Sequence, residues 1–176
     1  PDGGWHGHFD KLHFILWHNG EIVMPDPGTT RYGTPLHNEW YRTTLAHNTL
    51  VIDESPQKPA TGKSLAFSAG ATPFIMADAG DIASGVKFIR TAAMLNENLF
   101  VFIDDVKCEK EHELDLATHI EGAWHDLQQS APWNPPDKEG YKHLTHATTR
   151  STSDSMRLAI ESDKGERLLF VGGGDA

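Results

Sequence analysis

The 176-residue chain reads as an all-β protein, an antiparallel β-sandwich of the large supersandwich type. Three observations lead there. Short runs rich in β-branched and aromatic residues alternate with turn residues. An Asn-Gly pair sits between two such runs. No segment sustains a 3.6-residue apolar period. Residues 12–17 and 21–24 flank His18-Asn19-Gly20, and Asn-Gly supplies the positive φ angles of a tight hairpin turn. A loop rich in Pro, Gly and Thr follows over 25–35. Strands are expected at 47–53, 64–68, 86–92 and 100–106. Residues 113–120 alternate polar with apolar, as a half-exposed strand does. Residues 131–140 hold three prolines and read as a surface excursion rather than a lid. Residues 156–161 and 167–171 form a second hairpin around Gly165.

Composition narrows the function. With 38% hydrophobic residues the chain can build a core and is not disordered. The formal net charge of −10, with no Lys/Arg cluster, argues against nucleic acid as a partner. No apolar run is long enough for a membrane-spanning helix. A single cysteine, Cys108, excludes an internal disulfide, and nothing near it lowers its pKa. The chain opens on Pro1-Asp2-Gly3-Gly4 without a charged-then-apolar leader and stops just after an apolar run. The expectation is one sandwich domain over 1–176, cut from a longer protein.

Three motifs in the first 50 residues carry the chemistry. They are His6-Gly7-His8-Phe9-Asp10, Pro25-Asp26-Pro27-Gly28-Thr29 and Ala46-His47-Asn48-Thr49. His6 and His8, two apart, would share a face on a strand, though a glycine loop weakens that rule. Imidazole and carboxylate ligands in this number suit zinc, with four protein ligands if His6 joins and three if His6 is free for catalysis. His-x-His alone is weak evidence in a chain with eleven histidines; Asp26 and His47 strengthen it. Asp26 alone would be a turn residue. Asn48 reads either as a substrate contact or as a satisfier of backbone groups. Trp40, Tyr41 and Arg42 read either as an aromatic platform with a carboxylate-gripping guanidinium or as strand-edge packing. Arg31 and Tyr32 form a weaker pair of that kind. His37 could line the cleft, and Trp5 could wall it. His13, His18, His112, His119, His125, His143 and His146 read as structural or surface residues.

The run from His6 through Asp53, with its Pro-Asp-x-Gly-Thr, Tyr-Gly-x-Pro-Leu, Trp-Tyr-Arg-x-Thr and His-Asn-Thr segments, resembles the C-terminal sandwich of the heparinase II/III-like polysaccharide lyases. The look is closest to the exolytic alginate lyase and heparin lyase branch. The likeness is specific over about residues 3–57 and is only strand texture beyond. It implies a toroid-plus-sandwich enzyme whose N-terminal (α/α) toroid is not in this chain. It implies His6 as a catalytic residue, with His8, Asp26 and His47 as ligands of zinc and Asp10 in a supporting place. It implies β-elimination on an anionic, uronate-containing polysaccharide and a periplasmic or secreted location; Trp40, Tyr41, Arg42 and Asn48, on their own residue types, are the candidate substrate contacts. Two other classes compete. One is a non-catalytic carbohydrate-binding sandwich with a structural metal. The other is a cupin-like metal enzyme, disfavoured because Asp26 follows a complete hairpin instead of closely trailing the histidine pair.

Overall fold

The computed structural model describes residues 6–125 and 130–173. The first hairpin joins β1 (Leu16–His18) to β2 (Glu21–Met24), and Asn19 and Gly20 take the positive φ angles of 50° and 78°. The first strand starts later than residue 12. Leu12 itself has φ 62°, so the chain turns there instead of extending. A short π-helical turn, His37–Tyr41, and a 3₁₀ turn, Thr44–Ala46, precede β3 (Leu50–Ile52). Trp40 and Tyr41 therefore lie on a helical turn and not on a strand edge.

The largest sheet is a four-stranded meander of β4 (Lys63–Ser68), β5 (Phe74–Asp78), β6 (Val86–Asn96) and β7 (Leu99–Cys108). β8 (Leu114–Leu116) pairs with β3. β9 (Ala123–His125) joins the second hairpin, β12 (Met156–Ser162) and β13 (Gly165–Val171), in a three-stranded sheet. Between them β10 (Ala131–Pro132) pairs with β11 (Thr148–Thr149). Every pairing among the described strands is antiparallel, so the all-β antiparallel expectation holds. Among the described residues no helix is long and apolar enough to cross a membrane.

Strand alternation divides the core. Leu50 and Ile52 point to one side and pack with Ala79, Ile82 and Phe88. Val51 points to the other and packs with Leu45 and Tyr141. Phe88 is fully buried, which stabilises the sheet by about 1.5–3 kcal/mol. The loop at 131–140 is mostly exposed, as a surface excursion, but its end is docked. Gly140 N–H donates to the Glu39 carbonyl at 3.0 Å, and Lys142 pairs with the Glu39 carboxylate at 2.8 Å. That contact braces the helical turn beside the site.

Candidate active site and metal centre

The segment 6–14 lies across the segment 42–49, and backbone groups of one are satisfied by the other. Phe9 N–H donates to Arg42 O at 3.1 Å, and the Thr44 hydroxyl donates to Phe9 O at 2.6 Å. Lys11 O accepts from the Thr49 hydroxyl, and Lys11 N–H donates to Gln57 Oε1 at 2.8 Å. Thr43, Thr44, His47, Asn48 and Thr49 are all at most 2% exposed. Such a polar run is tolerable in a core because its groups are paired. It explains why residues 43–49 are not strand: their polar side chains serve the crossing segment.

Asn48 is the hub of this crossing. Its Nδ2 donates to Phe14 O at 3.1 Å and Pro25 O at 3.0 Å, and its Oδ1 accepts from His119 N–H at 2.7 Å. It is 1% exposed and has no face that a ligand can reach. The substrate-contact expectation for Asn48 is corrected on that ground: its amide is spent on three backbone groups.

His47 is fully buried, with Nδ1 2.8 Å from the Thr43 carbonyl. A carbonyl only accepts, so Nδ1 carries the proton and Nε2 presents a bare lone pair. Around that lone pair stand His8 Nδ1 at 3.0 Å, Asp26 Oδ2 at 3.7 Å and an Asp10 carboxylate oxygen at 4.0 Å. Tetrahedral zinc with bonds of about 2.0–2.1 Å would place its ligand atoms roughly 3.3–3.4 Å apart. The observed spacings bracket that value, and a histidine donating its second nitrogen to a backbone carbonyl is the usual orientation of a ligand. Measured from His47 Nε2, the donors stand where a zinc-sized ion would need them; the group whose donor atoms are all mutually close holds Asp10 in place of Asp26. The tightest trio is His8, Asp10 and His47, whose donor atoms all lie within 4.8 Å of one another. Asp10, read from the sequence as a supporting residue, stands as close to ligand position as Asp26 does.

Asp26 does two jobs. Its Oδ1 accepts Gly28 N–H at 2.6 Å, which makes the Pro-Asp-Pro-Gly turn, while Oδ2 faces the histidines. His13 also faces it. His13 Nδ1 accepts Asn48 N–H at 2.9 Å, so its proton sits on Nε2, 3.0 Å from Asp26 Oδ2 although out of good hydrogen-bond alignment. Burial holds the pKa of both His13 and His47 below the ordinary 6.5; the mutual repulsion of charges adds to it at His13, and the Thr43 carbonyl and the two carboxylates oppose it at His47. Both imidazoles are therefore neutral near pH 7.

Beside this cluster opens a cleft of about 340 Å³, lined among others by His6, His8, Asp26, Tyr32, His37 and Arg42. His6 is exposed, and its Nδ1 lies 2.8 Å from the Tyr32 hydroxyl. His37 meets the Tyr32 ring edge-on at 4.9 Å. Arg42 sits over the Phe9 ring at 5.1 Å, and its weak bonds to Gly7 O (3.3 Å) and Asn38 Oδ1 (3.4 Å) leave it no carboxylate partner among the described residues. Trp40 and Tyr41 do not line the cleft. Trp40 packs edge-on against His119 and His143 instead, so it builds the wall behind and offers no platform. Trp5 lies outside the described residues. Sequence reasoning underrated Tyr32, His13 and His37; Tyr32 could have been found from its place in the Gly-rich loop two residues after the Thr pair, where a phenol has little core to join.

A family profile described as Heparinase II/III-like, C-terminal, matches residues 1–175. The chain is 34% identical to an alginate lyase of Stenotrophomonas maltophilia, covering 89% of this chain and 25% of that protein. It is 27% identical to an exo-oligoalginate lyase of Saccharophagus degradans, over 96% of this chain and 27% of that protein. The chain thus spans about a quarter of the length of these relatives. Among solved structures, heparinase III aligns over 90% of this chain and 21% of its own, with TM-score 0.63 and 22% identity. The heparan sulfate lyase of Pedobacter heparinus aligns over 98% and 38%, with TM-score 0.64 and 15% identity. These two likenesses concern the fold and agree with the sandwich reading. The chain belongs to the heparinase II/III-like C-terminal domain family.

Proposed function

We propose that this chain supplies the sandwich half of the active site of a polysaccharide lyase, which cleaves a uronate-containing glycan by β-elimination. The observation that carries the proposal is the His6–Tyr32 pair at 2.8 Å in a cleft that also holds Arg42. In β-elimination the C5 proton, α to the uronate carboxylate, is removed and the O4 leaving group is protonated. No water enters the products. His6 and Tyr32 share a hydrogen bond, so a proton taken by one can be passed to the other. Arg42 offers its planar fork to the uronate carboxylate, where negative charge builds as the proton leaves.

His8, Asp26 and His47 would hold zinc, with Asp10 near enough to take the fourth place. Bound there, zinc supplies positive charge and ties the 6–10, 25–28 and 42–48 segments in register. His47 keeps its Nε2 lone pair aimed inward through the Thr43 carbonyl, and His13 Nε2 stands 3.0 Å from Asp26 Oδ2.

The substrate favoured is an unsulfated polyuronate of the alginate type. A sulfated chain would call for several cations, whereas this chain has net charge −10 and places one arginine on the cleft. The relatives named alginate lyases match 89% and 96% of this chain, whereas those named heparin-sulfate lyases match 65% and 66%. The second half of the cleft belongs to an N-terminal toroid of the same polypeptide, and a polymeric substrate places the enzyme in the periplasm or outside the cell. The test is turnover of oligoalginate, read as unsaturated uronate, by the toroid-bearing polypeptide and its His6→Ala and Tyr32→Phe variants. A fall of about 10²–10⁴-fold is expected for loss of a proton-transfer group. Unchanged turnover in both variants would take the proton-transfer roles from His6 and Tyr32, and uronate binding with no turnover in the parent would leave a carbohydrate-binding module instead.

A further inference from the structure

Arg90 is a buried cation on β6 that no part of the lyase chemistry uses. It is 5% exposed. Its Nε and Nη2 clamp Asp104 on β7 at 2.7 and 2.8 Å. Its Nη1 donates to two main-chain carbonyls, Leu12 O at 2.8 Å and Asn48 O at 2.7 Å. Phe14 and Phe88 flank the guanidinium, with ring centroids 5.2 and 5.3 Å away, and Phe14 stacks on Phe102 at 3.9 Å.

The two carbonyls are informative. One belongs to the residue before His13, the other to the residue after His47. A guanidinium can hold a carboxylate with one edge and two acceptors with another nitrogen; an ammonium lacks that fixed fork. Core packing alone does not call for this arrangement, because apolar residues of similar volume replace a buried ion pair at little cost. Leu12 gives a second, independent sign. Its φ of 62° is a conformation that a non-glycine residue avoids, at a cost of about 1–2 kcal/mol. That turn is held by Arg90 at its carbonyl, and it directs His13 so that its ring accepts Asn48 N–H and faces Asp26.

We propose that Arg90 is a positioning residue for the centre formed by His8, Asp10, Asp26 and His47, acting through the main chain of Leu12 and Asn48. The inference rests on the metal reading given above. It assigns to the four-stranded sheet the task of setting the registry between the ligand-bearing segments.

The test compares the purified protein with Arg90→Lys and with the double variant Arg90→Met/Asp104→Leu, which removes both charges and so leaves no unpaired charge in the core. Without metal, long-range ¹H–¹⁵N spectra read the imidazole tautomers. The parent should show His13 protonated at Nε2 and His47 at Nδ1, and both variants should show mixtures. With metal, zinc affinity by chelator competition should fall about 10–100-fold, and the visible spectrum of the cobalt form should change. A merely structural role would lower melting but leave tautomers, affinity and cobalt spectrum as in the parent, and that result would overturn the proposal. Arg90→Lys keeps the test decisive should the double variant fail to fold. A parent protein that takes up no metal contradicts the metal reading instead, and the tautomers then decide the role of Arg90 by themselves.

Discussion

Replacing His47 with alanine removes a fully buried ring from the centre of the crossing between residues 6–14 and 42–49. The cost in the metal-free protein can be worked from its contacts. Thr43 O loses the Nδ1–H donor at 2.8 Å but keeps Ala46 N–H at 3.3 Å, so the penalty for an orphaned carbonyl stays near the low end, about 1 kcal/mol. His8 Nδ1 loses its partner at 3.0 Å, yet His8 is half-buried and water can replace it. The vacated ring space adds about 1–3 kcal/mol, depending on how far the site collapses. The sum is about 2–4 kcal/mol. Zinc then separates the two proteins further. At a free concentration 100 times Kd it stabilises the parent by about 2.7 kcal/mol, and the variant, with a ligand gone, by little. Urea unfolding followed by tryptophan fluorescence, with zinc and with chelator, measures all four values. The gap between parent and variant should widen by about 2–3 kcal/mol when zinc is present. An equal gap in both conditions would refute the reasoning, because the loss would then be packing alone.

Three further outcomes follow from the same contacts. Gly140→Ala should destabilise by about 1–2 kcal/mol in thermal unfolding, because φ is +82° and a Cβ would stand 3.1 Å from both Thr43 Oγ1 and Leu45 Cβ; a neutral change would contradict the docked loop. Acid should destabilise the metal-free protein through His13 and His47. Both have folded pKa values below 6.5, so the unfolded chain binds more protons, and the stability they confer is present above about pH 6.5 and lost as pH falls toward the folded values. Flat stability from about pH 7.5 to about pH 5.5, one unit either side of the free imidazole pKa, in the absence of other titration would argue against buried neutral rings. Arg42→Lys should raise KM for oligoalginate about 10-fold or more while leaving melting unchanged, since the lysine keeps the charge but not the fork; unchanged KM would remove Arg42 from the carboxylate site.

The sequence made the chemistry of the site more legible than its geometry. His6, His8, Asp26 and His47 carry residue types that announce proton transfer and metal binding, and the structure brings all four to one place. The Asn19-Gly20 hairpin was equally readable, since two consecutive positive φ angles leave few other residues to choose. What was hidden depends on partners far along the chain. Asn48 shares a motif with His47 and so looked functional, yet its hydrogen bonds to residues 14, 25 and 119 make it a structural knot. His13 looked like one more strand histidine until Leu12 turned the chain and Asn48 fixed its tautomer. The helical turn at 37–41 is too short to leave a periodic trace, and it moved Trp40 off the cleft. β5 is hidden because residues 74–77 are apolar without alternation, and their state is set by pairing on both sides with β4 and β6.

The central claim is elimination at a uronate, and the masses of the products test it most directly. Oligoalginate of one defined length would be digested with the toroid-bearing polypeptide and the two products of a single cleavage weighed. Elimination predicts that their masses sum to the mass of the substrate, with an unsaturated sugar at the new non-reducing end. Products whose masses sum to the substrate plus one water would mean hydrolysis, and would contradict the roles given to His6, Tyr32 and Arg42.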